Sequence, residues 1–174
     1  MSAKIPTSTT LSIPHSLRLV GIIGGVWAFL TIIGAVAAYI PAHPDFSPFT
    51  TYLSDIGASP QWPQIIFNSG TLIVVPIRYL VLVLLALRLT QLGAGKAFMI
   101  AVLIVGFLST SGTALMTATP FTVSLALHKT GIGLYFLGVV VLQTMIFIKE
   151  WSLKCVPRIL PILSLTVVVL FVVF

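Results

Sequence analysis

Residues 19–40 read LVGIIGGVWAFLTIIGAVAAYI, a run with no Asp, Glu, Lys, Arg or His. A helix rises about 1.5 Å per residue, so about 20 apolar residues cross the roughly 30 Å hydrocarbon core of a bilayer. Inside hydrocarbon a backbone must satisfy its own polar groups, which makes such a run a helix. The pattern returns at residues 65–87, 97–117, 130–148 and 159–174. No segment alternates polar and apolar residues as a membrane barrel does. Charged residues make up 7% of the 174 residues and hydrophobic ones 58%, with a mean hydropathy of +1.17. A soluble domain carries about 25% charged residues. These values predict an all-α, polytopic transmembrane helical bundle of about five spans, with no separate soluble domain.

The last run has 16 residues, marginal for a span. Either its helix ends at the far surface or the sequence is a piece of a longer one. A cleaved leader is a competing reading of the first run. Lys4 and Arg18 precede it, and Ala35-Val36-Ala37 resembles a small-residue cleavage site. Basic residues set orientation. Lys4, Arg18, Arg88, Lys96, Lys149, Lys154 and Arg158 fall on one side of the spans, and Lys129 alone on the other. The N-terminus is therefore expected in the cytoplasm, with residues 1–18 as a loosely ordered tail and the bundle in the plasma (inner) membrane. The net charge of +6 comes from cations placed singly at helix ends, with no basic stripe for nucleic acid. The single cysteine, Cys155, excludes an intrachain disulfide. Its place at a cytoplasmic helix end suits either a plain thiol or palmitoylation.

The long connection, residues 41–63, holds Pro41, Pro44, Pro48, Pro60 and Pro63, too many for one continuous helix. It is expected to fold over the outer face, with a short helical turn near residues 50–56. Phe46, Phe49, Tyr52 and Trp62 suit the membrane interface.

Polar residues within spans are costly and point to contacts or function. Asn68, Thr71 and Arg78 fall within one stripe of the second span, with Arg78 about 15 Å from Arg88. Pro76 is expected to kink that helix and free a carbonyl. Thr31, Ser109 and Gln143 are candidate partners at a similar depth. Arg78 is either structural, bonded to carbonyls and water, or an anion or headgroup contact inside the bundle. Ser109, Thr113 and Thr117 recur every four residues on a face with Gly106 that suits close packing, as do Gly21 and Gly25 in the first span. His128, Gly131, Tyr135, Gly138 and Leu142 share one face of the fourth span, where the glycines leave room for a helix or a lipid chain.

The outer end gathers His43, Asp45, Ser54, Asp55, Asn68 and His128. Two histidines and two aspartates are enough ligands for zinc, but no HxxxH or CxxC spacing supports it. Ser54, Asp55 and His128 are the residue types of a nucleophilic triad without a nucleophile-elbow motif. The simpler expectation pairs Asp55 with His128 and so pins the loop over the bundle. Ser54, Asp55, Asn68, Arg78 and His128 are the candidate ligand-binding residues. No catalytic residue, metal or cofactor is assigned, since no nucleotide, flavin, haem or zinc-protease motif is present.

The segment Thr51-Tyr-Leu-Ser-Asp-Ile-Gly57, with Ile66-Phe-Asn-Ser-Gly70 following, resembles a family of bacterial and archaeal six-span membrane proteins known as a domain of unknown function. Those proteins carry a Leu-Ser-Asp-Leu-Gly segment, a Phe-Asn pair and a histidine opening the fourth span, matched here by His128. The chain is more distantly similar to the Frag/DRAM/Sfk group of membrane proteins, which is linked to lipid remodelling, lipid asymmetry and autophagy. The likeness covers about residues 19–148. A sixth span and a Gly-Phe-Pro-like turn ending the third, where this chain has Thr117-Ala-Thr-Pro120, are its departures. The resemblance implies a membrane bundle and an outer polar cluster. The expected function is a non-enzymatic, lipid-associated membrane protein with an outer-leaflet groove, and its expected partners are membrane lipids. Alternatives are a small-solute or ion carrier, an accessory subunit of a membrane complex or homo-oligomer, and an outer-face hydrolase.

Overall fold

The computed structural model describes residues 12–173, so Lys4 and most of the expected tail lie outside the described residues. The elements are α1 (Ile13–Tyr39), α2 (Leu53–Ala58), α3 (Trp62–Gln91), α4 (Lys96–Ala118), α5 (Leu125–Ser152) and α6 (Ile159–Val173), with a 3-10 turn at Ile40–Ala42 after α1. Among the described residues there is no strand. Among the described residues four helices are long and apolar enough to cross a membrane: α1 with its following turn, α3, α4 and α5. The fifth apolar run forms α6, with 15 residues. The chain is a multi-pass helical membrane protein.

Local sequence explains where the helices begin and end. Pro14 sits in the first turn of α1, where its missing N–H has no intrahelical duty, and α1 starts six residues before the apolar run. The end of α3 is a left-handed cap. Gly93 at φ +106° lets its N–H reach the Thr90 carbonyl at 3.1 Å, while the Ala94 N–H reaches Leu89 at 2.8 Å. Ser124 caps α5 by accepting from the Leu127 N–H. α3 continues unbroken through Pro76.

The helices pack in a row, α1 on α3, α3 on α4, α4 on α5 and α5 on α6, and no comparable packing joins α1 to α5 or α6. The row is therefore an arc with one open side. Leu82, Ala86, Val102, Leu142 and Ile146 form a buried core where α3, α4 and α5 meet. Phe29, Ile104 and Leu137 face outward and exposed, as lipid-solvated surfaces do.

Small residues set the seams. A Cβ on Gly112 would meet the Tyr135 backbone nitrogen at 2.6 Å, and one on Gly131 the Met116 nitrogen at 2.5 Å. A Cβ on Gly138 would lie 2.9 Å from the Ser109 Cα. The α5 glycine face is thus filled by α4, which leaves little space there for a lipid chain. In α1 the expected pair is corrected: Gly21 and Gly25 have nothing within 4 Å of a built Cβ, and Gly24, against Ile77 of α3, makes the close approach.

The connection between α1 and α3 carries α2, whose Ile56, 1% exposed, inserts among Ala35, Tyr39, Ile66 and Phe67. Phe49, Tyr52 and Trp62 project outward, while Phe46 turns inward and meets Tyr39 edge-on with ring centroids 6.1 Å apart.

Candidate functional site

A cavity of about 720 Å³ occupies the inside of the arc beneath α2. It takes its walls from Thr31 of α1, Val74 and Arg78 of α3, Met116 of α4, Tyr135 of α5 and Phe171 of α6, and its rim from residues 51–54. Most of this lining is apolar, and the polar groups are few and placed at defined depths, the usual makeup of a small-molecule site.

Arg78 is the one arginine or lysine in the lining. Its Nη2 donates to the Ser109 hydroxyl at 2.6 Å and its Nη1 to the Thr113 hydroxyl at 2.9 Å. Its guanidinium lies over the Tyr135 ring, 4.9 Å from the centroid. The hydroxyls are themselves oriented, Ser109 donating to the Tyr135 carbonyl at 3.2 Å and Thr113 to the Ser109 carbonyl at 3.3 Å. All these partners are neutral, so the positive charge is held without a carboxylate among the described residues. Of the partners expected at that depth, Ser109 bonds Arg78; Gln143 does not, and Thr31 packs against Gly70 instead.

His128 is 8% exposed and lines the cavity where α5 begins. Its Nδ1 lies 2.9 Å from the Met116 carbonyl and 3.1 Å from the Thr119 carbonyl. Carbonyls only accept, so Nδ1 carries a proton and donates to them. Asn68 lines the cavity and donates to the Gly57 carbonyl at 2.9 Å. Ser54 is at the rim.

Asp55 is the exception among the five candidates, being absent from the lining. Its Oδ2 accepts the Tyr52 N–H at 3.0 Å and caps the start of α2. The expected Asp55–His128 pair is therefore not formed. Each side chain has a nearer backbone partner, and the loop is held instead by Ile56 and by the Asn68–Gly57 bond. The triad geometry of Ser54, Asp55 and His128 is likewise not assembled. His43 stacks on Tyr39 with ring centroids 3.8 Å apart and bonds the Tyr39 carbonyl. Among the described residues no three His, Cys, Asp or Glu side chains gather as a metal site.

Sequence reasoning did not foresee Phe171 and Thr51 in the lining, nor the role of Tyr135 beneath the guanidinium. An aromatic residue in an apolar span carries no mark of what it faces.

A family model described as the Frag1/DRAM/Sfk1/Cwh43P N-terminal domain matches residues 16–174. No protein of curated function and no solved structure matches the chain.

Proposed function

The chain belongs to the Frag1/DRAM/Sfk1/Cwh43P N-terminal domain family, and from that premise we propose that it is a lipid-associated protein whose cavity holds an anionic amphiphile. The supporting observation is Arg78. A guanidinium facing an apolar cavity is costly unless a counter-charge completes it. Its donor fork matches a phosphate or carboxylate in two-point contact, and its five N–H groups exceed the two hydroxyls it bonds. The apolar walls suit acyl chains, and the open side of the arc offers a lateral entrance from the bilayer. Asn68, Ser54 and His128 line the same space nearer α2. We place the cavity in the outer leaflet of the plasma membrane, from the seven cations on the opposite side.

Lipid retention tests this reading. Protein purified in mild detergent and analysed by native mass spectrometry is expected to carry an anionic lipid. Arg78→Gln should lower its occupancy by about tenfold, the loss of a charge-assisted contact, and Arg78→Lys should keep part of it. Wild-type protein bare of lipid, or Arg78→Gln retaining as much as wild type, overturns the proposal.

A further inference from the structure

A second cavity, of about 370 Å³, lies at the opposite end of the bundle. It is lined by Arg18 of α1, Arg88 of α3, Glu150 of α5 and Cys155 in the turn before α6, with Leu89 and Leu160 among its apolar walls. It falls within the roughly 300–1,000 Å³ range of ligand sites. It shares no lining residue with the larger cavity, so the two can hold different guests independently.

The charges here are of both signs and are not joined to each other. Arg88 donates only to Gln91, at 3.3 Å, and Arg18 is exposed with no side-chain hydrogen bond among the described residues. Glu150 is 5% exposed, and its one hydrogen bond among the described residues is from the Ser164 hydroxyl to Oε2, at 3.0 Å. Among the described residues no buried side-chain oxygen or nitrogen is without a partner, so the Oε1 that Ser164 does not reach keeps an opening, and the cavity is the space Glu150 lines. A buried carboxylate with half its acceptors open is expensive unless a donor or cation meets it. Two guanidiniums and one carboxylate around one small cavity call for a guest that is itself dipolar.

We propose that this cavity seats a zwitterionic phospholipid headgroup, its phosphate on Arg18 and Arg88 and its ammonium on Glu150. Glycerophospholipids with ethanolamine or choline headgroups carry both charges a few bonds apart. A purely anionic headgroup would satisfy the arginines and meet repulsion from Glu150. The leucine walls then take the start of the acyl chains, and the site lies at the depth where lipid headgroups sit beside the ends of α1 and α3.

Cys155 supplies a local reporter, being the only cysteine, exposed, and part of the lining. Its alkylation by a maleimide would be followed in nanodiscs of phosphatidylethanolamine, phosphatidylcholine or phosphatidylglycerol, alongside native mass spectrometry of bound lipid. The expected result is protection by the two zwitterionic lipids and about tenfold less by phosphatidylglycerol. Arg18→Gln and Arg88→Gln should remove protection by every lipid; Arg18 is exposed and Arg88 half-buried, and circular dichroism of each variant confirms that it is folded. Glu150→Gln should equalise the three lipids, and Ser164→Ala, which leaves the carboxylate in place, should keep the zwitterionic preference. Equal protection by all three lipids in wild type, or stronger protection by phosphatidylglycerol, overturns the proposal. So does a preference that survives Glu150→Gln.

Discussion

Gly112 and Gly131 show how single hydrogen atoms hold this bundle together. Each lies against backbone of the facing helix, so a methyl group has no side chain to push aside. Gly112→Ala or Gly131→Ala should each cost about 1–3 kcal/mol, the usual penalty of overpacking. Gly21→Ala and Gly25→Ala, which face open space, should stay within about 0.5 kcal/mol of wild type. Reversible unfolding in mixed micelles measures both sets, and equal losses at all four positions would refute the seam described for α4 and α5. Which glycines matter was only partly legible. Gly131 and Gly138 stood out because they share a face with polar residues of a known depth. Gly24 did not, since α1 is apolar all round and carries no stripe to say which side turns inward.

At the scale of elements, α2 behaves as a plug held from below. Ile56 is inserted between α1 and α3, and Asn68 of α3 holds the Gly57 carbonyl. Asn68→Ala should therefore speed amide hydrogen exchange across residues 53–58, by about tenfold for one lost hydrogen bond at the upper end of the usual range. His128→Ala should leave those amides unchanged, because His128 bonds the end of α4 and its following turn rather than α2. Equal loosening in both variants would restore the Asp55–His128 tether. The membrane-crossing helices were readable from the length of their apolar runs, and Ser109 was one of three candidate partners for Arg78, of which Thr31 and Gln143 do not bond it. The hold on α2 was not readable. Asp55 and His128 have complementary chemistry, but charge pairing says nothing about a nearer backbone N–H or carbonyl, and those won. The burial of Glu150 was not legible either, since it depends on α6 folding back to bring up Ser164.

Across the whole molecule, the arc puts a cavity at each end of its inner face, and α1 and α6 lack the packing that joins the other neighbours in the row. The close glycine approaches are concentrated between α1 and α3 and between α4 and α5. Arg78 stands on α3 about 24 Å of helix rise from Trp62 and about 15 Å from Arg88, in the middle part of that helix. A guest anion that reaches it has crossed part of the transmembrane electric field. One elementary charge carried through the full field gains or loses about 2.3 kcal/mol per 100 mV, so half the distance amounts to about 1.1 kcal/mol, or roughly sixfold in occupancy. Proteoliposomes clamped with potassium gradients and valinomycin should therefore release a fluorescent anionic lipid analogue at one polarity and retain it at the other, and Arg78→Gln should erase the difference. On the reading proposed above, the cation that anchors the guest makes the site a voltmeter as well as a seat.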